Sequence, residues 1–285
     1  MEHILSVVAK PGHRDLDLAV QSLQANGFAL GRQLAPRQAV ELRGIASTAQ
    51  LDLWLGQLQV DWCRHPTPPT QKDVLLCDMD STIIGQECID ELADLASIGP
   101  QVKQITAAAM AGKLDFAQAL RERVRLLAGQ SEELLSRCWS TRISINAGAK
   151  TLVATMNQLG SKTALVSGGF TWFADRVAKV VQFGESHANQ LAITDQQITG
   201  KIEGPIVDGA VKLAHLQRLC QDPARVMAIG DGANDLLMVE AAGLGLAYHA
   251  KPILLRKADG RIRHTDLTTA LFFQGITKTD WDVCD

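Results

Sequence analysis

Hydrophobic positions change rhythm once along this chain, near residue 66. Before that point, short apolar stretches alternate with helically spaced ones. Ile4–Val8 is a compact apolar run, and Leu16, Val20 and Leu23 recur at the interval of one helix face. Phe28–Leu30 and Ala39–Leu42 read as strands, Leu51–Leu58 as a helix and Val60–Cys63 as a closing strand. The order strand, helix, strand, strand, helix, strand predicts a small ferredoxin-like α+β unit over residues 1–65. His65-Pro66-Thr67-Pro68-Pro69-Thr70 then interrupts the pattern. Proline fixes φ and removes a donor, so residues 66–71 read as an extended linker.

After the linker the apolar runs become continuous, as in strands covered on both faces. They are Val74-Leu75-Leu76-Cys77, Ala164-Leu165-Val166, Val226-Met227-Ala228-Ile229 and Leu244-Gly245-Leu246-Ala247. Helical patterns separate them at Ala147–Leu159, Phe170–Val180, Val211–Cys220 and Asp235–Ala241. This alternation predicts an α/β domain over residues 72–285: a doubly wound parallel sheet with helices on both faces. An insert at about 86–145, with helical patterns around Ala107–Ala109 and Leu120–Val124, predicts a helical cap, because a loop of that length does not stay structureless. Ile193 to Lys201 reads as a hairpin.

Composition narrows the function. The 28 Lys and Arg nearly balance 31 Asp and Glu, giving −3 over 285 residues, which argues against bulk nucleic-acid binding. With 46% hydrophobic and 21% charged residues the chain is an ordinary globular one, and its 5% aromatics offer little for base stacking. No 18-residue apolar run suggests a membrane span, and Met1-Glu2-His3-Ile4 opens no basic and apolar leader. Six scattered cysteines, Cys63, Cys77, Cys88, Cys138, Cys220 and Cys284, form no CxxC pair, so reduced thiols and a cytoplasmic location are expected.

Candidate chemistry sits where the runs end, and parallel sheets bind ligands beyond the carboxyl ends of their strands. The first run ends in Asp78-Met79-Asp80-Ser81-Thr82. Alone, such a triplet is also satisfied by an ordinary turn. The run at Val226 ends in Gly230-Asp231-Gly232-Ala233-Asn234-Asp235. If the two strands are neighbours, Asp78 and Asp231 converge into a hard-oxygen site suited to Mg²⁺. Ser167-Gly168-Gly169-Phe170 is read as opening a helix, where a hydroxyl and free N–H groups would hold an anion. Lys212 begins another helix and by itself reads as a surface lysine.

These four motifs, in this order, resemble the haloacid dehalogenase superfamily of phosphotransferases, with the likeness running from about Val74 towards the C-terminus. Within it, the chain is similar to the phosphoserine phosphatase family. Asp78-Met79-Asp80-Ser81-Thr82-Ile83-Ile84 with Glu87, Gly112-Lys113-Leu114-Asp115-Phe116, Leu120-Arg121-Glu122-Arg123-Val124, Val166-Ser167-Gly168-Gly169-Phe170 and the Gly230–Asp235 stretch carry that likeness. The N-terminal unit resembles an ACT domain, with Pro11-Gly12 where such domains place a ligand loop. A packing or dimerisation module and an amino-acid sensor are both open for it, as is a homodimer.

The resemblance implies Mg²⁺-dependent hydrolysis of O-phospho-L-serine, the last step of serine biosynthesis. Asp78 would be the nucleophile and Asp80 the general acid and base. Mg²⁺ would be held by Asp78, the backbone carbonyl of Asp80, and Asp231, with Asp235 supporting the metal shell. Ser167, Gly168, Lys212 and Asn234 would bind phosphate, and Glu87 and Arg123 the ammonium and carboxylate of the amino acid. Met110 and Phe116 would wall the pocket, although core packing explains both equally well. An alternative keeps the aspartyl-phosphate but passes it to another hydroxy amino acid such as homoserine. The expected partner is a small molecule, with neither nucleic acid nor membrane.

Overall fold

The computed structural model describes residues 2–110 and 112–284, with the Met110 side chain outside the described residues. The N-terminal unit runs β1 (His3–Ala9), α1 (Asp15–Ala25), β2 (Ala29–Ala35), β3 (Ala39–Gly44), α2 (Thr48–Leu55) and β4 (Val60–His65). Its antiparallel strands turn Leu5, Val7, Leu42, Val60 and Trp62 against Leu16, Leu23, Leu51 and Leu55 of the two helices. The Ser47–Gln50 capping box starts α2, satisfying N–H groups that the helix itself leaves free.

The second part begins with β5 (Val74–Cys77) and continues through α3 (Cys88–Leu95), α4 (Gly99–Met110), α5 (Phe116–Arg125), α6 (Glu133–Arg142) and α7 (Ala149–Gln158). There follow β6 (Lys162–Phe170), α8 (Thr171–Val181), β7 (Glu185–Thr194), β8 (Gln197–Glu203), α9 (Gly209–Leu219), β9 (Val226–Gly230), α10 (Leu236–Ala241), β10 (Leu244–Tyr248) and β11 (Gly260–Ile262). β11, β10, β9, β5, β6 and β7 pair in parallel in that spatial order, and β8 closes the edge antiparallel. Both faces of β5 and β9 are buried, which accounts for their unbroken apolar runs.

Both parts share one sheet. β4 pairs antiparallel with β11, Cys63 opposite Gly260 and Trp62 opposite Arg261, so the eleven strands among the described residues form a single sheet. The buried Asp61 carboxylate clamps this seam by accepting the N–H groups of Arg263, His264 and Thr265 at 2.7 to 3.1 Å. A two-domain division by hydrophobic rhythm therefore does not reveal how the parts are joined.

At the same seam, His65 is buried, with Ser6 Oγ at 3.0 Å from its Nε2. Burial, aided by the Lys72 charge, pushes its pKa from 6.5 down to about 4. The unfolded chain thus binds this proton before the fold does. Stability is complete above pH 6.5 and falls as pH drops towards 4, by about 3 kcal/mol in total from this group. Urea unfolding at pH 7 and pH 4.5 is expected to show a smaller acid loss in His65→Gln than in wild type. An equal loss in both would mean that His65 does not govern it.

The long insert between β5 and β6 is helical through α3 to α6. Its ends are stapled where Ile84 bridges Ile145 and Gln86 exchanges hydrogen bonds with Ser144. Its far side rests on the β7–β8 hairpin through Gly129 N–H to the Ile198 carbonyl and Glu132 N–H to the Gln196 carbonyl, both 2.8 Å. All six cysteines are free thiols, and no helix among the described residues is long and apolar enough to cross a membrane.

Candidate active site

Parallel neighbours point their carboxyl ends the same way, so the loops after β5, β6, β9 and β10 gather along one rim. Asp78 follows β5 in extended backbone, and Asp80 is extended as well. Ser81 then turns left-handed at φ 55°, and the Ile84 N–H closes the turn on the Met79 carbonyl at 3.0 Å. The two aspartates consequently enter different surroundings. Asp78 Oδ1 lies 2.7 Å from Lys212 Nζ and accepts the Met79 N–H at 2.8 Å, while Oδ2 faces Asn234 Nδ2 at 3.4 Å. Asp80 instead meets the Cys88 N–H at 3.4 Å, and its Oδ2 lies so close to Gly169 that a Cβ there would come within 2.8 Å.

Lys212 is fully buried, contrary to the surface reading of the isolated residue. The Asp208 side chain caps α9, accepting the N–H groups of Ala210 and Val211, and Lys212 rises from the first turn into the site. Burial opposes its charge, yet Asp235 and Asp78, each 2.7 Å away, raise its pKa above the ordinary value. Asp235 commits its other oxygen to the N–H groups of Asp231 and Gly232, both at 3.0 Å. It shapes the loop and anchors the lysine, which leaves Asp78 and Asp231 as the carboxylates free to face a cation.

Oxygens of Asp78, Asp231 and Asp235 lie within 4.8 Å of one another. Burial and the Asp235 charge push Asp78 upward against the pull of Lys212. Burial likewise raises Asp231 to about 6, although Lys251 Nζ stands 3.3 Å from it. Two lysines against three carboxylates leave one negative charge. A divalent ion would reverse that sign and prepare the rim for a phosphate dianion, and a pair of carboxylates with space for water is the donor set Mg²⁺ prefers. The residues present therefore fit Mg²⁺.

The Ser167 segment requires a correction. Residues 167–170 belong to β6, and α8 begins only at Thr171 with no side-chain cap. The ladder with β7 runs to Val166 opposite His187 and resumes at Phe170 opposite Asn189, so Ser167, Gly168 and Gly169 bulge out of the sheet. Ser167 Oγ accepts the Gly169 N–H at 2.9 Å, and Asn189 fixes the bulge by donating to the Gly168 carbonyl at 2.8 Å. An anion site here would be built by the strand bulge that leads directly into the N-terminus of α8, with Phe170 at the N-cap position.

The cap supplies the remaining candidates. The Asp115–Gln118 capping box sets the start of α5, and Phe116, Leu120, Arg123 and Leu127 then follow at helical spacing along one face. Phe116 reaches over the bulge, where a Cβ on Gly168 would come within 2.7 Å of its ring. Arg123 Nε contacts its own helix at the Ala119 carbonyl, 3.3 Å, and burial lowers its pKa from the ordinary value against the opposing pull of Asp90, Glu87 and Asp80. Glu87 accepts from Ser81 Oγ at 2.8 Å and does not pair directly with Arg123. Met110 falls outside the described side chains. Residues that motif reading missed are Lys251, Ser81 and Asn189. The position of Lys251 just beyond β10 was the available signal, since Asp78 and Asp231 likewise follow strand ends.

A family model for haloacid dehalogenase-like hydrolases matches residues 72–243. This chain belongs to that family. Among curated relatives, the phosphoserine phosphatase of Idiomarina loihiensis is 46% identical over 202 residues, covering 70% of this chain and 91% of that protein. The phosphoserine phosphatase of Archaeoglobus fulgidus is 43% identical over 201 residues, 69% of this chain and 58% of that longer protein. The crystal structure of a probable phosphoserine phosphatase from Vibrio cholerae, in unliganded form, superposes with a TM-score of 0.81 at 31% identity. It covers 98% of this chain and 88% of its own. The likeness therefore extends beyond the hydrolase core to the N-terminal unit, which the family model does not include.

Proposed function

We propose that this chain hydrolyses O-phospho-L-serine to L-serine and phosphate through a phosphorylated Asp78. The convergence of Asp78, Asp231 and the buried Lys212 on one rim beneath a cap is the observation that carries this reading. The activity named for its relatives supports it.

The Asp78 carboxylate attacks phosphorus, and the bond from phosphorus to the serine oxygen breaks. Lys212, 2.7 Å away, favours the ionised form of Asp78 against the burial that opposes it, but a phosphate dianion repels that carboxylate. Lys212 lies against the attacking carboxylate and offsets that repulsion, and Asn234, Ser167 and the Gly168 segment hold the phosphoryl oxygens. Asp78, Asp231 and the Asp80 carbonyl would hold Mg²⁺, which when bound neutralises charge on those oxygens.

Asp80 delivers a proton to the departing serine oxygen. Burial, reinforced by Glu87, pushes its carboxyl up to about 7, so a proton is at hand near neutrality. The resulting carboxylate takes a proton from water. The water oxygen then attacks phosphorus, the bond to Asp78 breaks, and phosphate leaves.

Arg123 and Glu87 read the amino-acid end of the substrate, with the guanidinium gripping carboxylate in a fork and Glu87 meeting ammonium. Phe116 closes over the bulge and excludes water. Arg123→Ala is expected to raise KM for O-phospho-L-serine by about 10- to 100-fold, the cost of a charged hydrogen bond. Hydrolysis of an ester lacking a carboxylate should change little. Equal losses on both esters would remove the recognition role. The activity itself is tested by phosphate release from O-phospho-L-serine with Mg²⁺ and with EDTA. Release with Mg²⁺ that EDTA abolishes is expected, and release from unrelated esters only would refute the substrate assignment.

A further inference from the structure

A second cluster of metal-ligating side chains lies away from the rim, where β7 meets α9. Glu185 and His187 are two apart on β7 and so project from the same face of the strand. His215 reaches them from α9, and the His187 and His215 rings stand 4.1 Å apart between centroids. His187 Nε2 is 3.6 Å from Glu185 Oε1, and one donor atom from each residue lies within 4.8 Å of the other two. All three are partly exposed. None has a part in the phosphatase reaction.

We propose that Glu185, His187 and His215 form a metal site of their own, taking a divalent transition ion of the Zn²⁺ class. Two imidazoles and one carboxylate are borderline-soft donors that such ions favour, whereas Mg²⁺ and Ca²⁺ select oxygen. Three donors leave coordination positions open. A cavity of about 330 Å³ adjoins the cluster, lined among others by Ser186, Gln190 and Glu203, with room for water or another ligand at those positions.

Without metal, the arrangement is held by Arg218. Its guanidinium pairs with Glu185 and lies 3.4 Å from His215 Nδ1. Arg218 therefore places positive charge against the donors that an ion would use. Its side chain is half exposed and can turn to solvent, so it competes with the metal without blocking it.

The site also bears on the rim. Asn189, next on the same face of β7, fixes the Gly168 carbonyl, and Lys212 lies one turn before His215 on α9. An ion bridging β7 and α9 would tie together the elements that carry both.

The test is zinc titration of the full chain by calorimetry in excess Mg²⁺, which occupies the oxygen site and does not compete for imidazole. Cobalt absorption in the visible range reports nitrogen ligation independently. One zinc per chain is expected. His187→Ala and His215→Ala should each weaken binding at least about tenfold and remove the cobalt band. Arg218→Ala should tighten binding. Because all three residues lie at the surface, unchanged circular dichroism is expected and checks folding. Zinc affinity unaltered in the His187→Ala/His215→Ala double variant, or no binding by the wild type, would overturn the proposal. Neither result depends on phosphatase activity, so this site and the proposed function stand or fall separately.

Discussion

Asp78→Asn is expected to lower phosphate release from O-phospho-L-serine by at least about 10⁴-fold while leaving the protein folded. Asparagine keeps the size of the side chain and an oxygen to accept the Met79 N–H. What it loses is the charge and the nucleophilic oxygen. Burial and Asp235 already work against that charge in the fold, so its removal relieves repulsion among the carboxylates. Lys212 keeps its second partner, Asp235 at 2.7 Å. A variant with wild-type thermal stability and no turnover separates nucleophilic loss from collapse of the site. Substantial turnover by the pure variant would remove Asp78 from the chemistry.

Asp80→Asn should cost about 10²- to 10⁴-fold in kcat on the serine ester, the range of general acid–base catalysis. Serine leaves as an alkoxide unless it receives a proton, and an amide cannot supply one. The effect should therefore depend on the leaving group. With a nitrophenyl phosphate, whose leaving group departs without protonation, the first half-reaction should survive. The second should remain slow, because no carboxylate activates water. Rapid-quench kinetics should then show a burst of nitrophenol followed by slow turnover. Equal slowing of both half-reactions would contradict the assignment, since it would mean that Asp80 only supports the loop.

The catalytic half of the fold was legible because a buried parallel strand leaves an unambiguous trace. Val74–Cys77 and Val226–Ile229 are covered on both faces and so cannot alternate, and neighbouring parallel strands deliver their terminal aspartates to one rim. The union of the two parts was not legible. It rests on a three-residue strand, Gly260–Ile262, meeting the edge of β4 almost two hundred positions away, and edge pairing leaves no local pattern. Ser167-Gly168-Gly169 misled for a related reason. Glycines permit both a helix start and a bulge, and the choice is made by Asn189 on the adjacent strand. Lys212 was visible only as a lysine. Its burial follows from Asp78 and Asp235, which come from two different strand ends. Phe116 and Arg123 share a helical face that spacing does reveal, whereas the placing of that face over the Gly168 bulge is a tertiary fact.

The phosphorylated aspartate can be sought directly. The protein with Mg²⁺ and O-phospho-L-serine is quenched in acid during turnover, digested, and mapped by mass spectrometry. One phosphoryl group should appear on the peptide containing Asp78, disappear on treatment with hydroxylamine, and be absent from Asp78→Asn. A phosphoryl group on any other residue, or steady phosphate release by Asp78→Asn, would contradict transfer through Asp78.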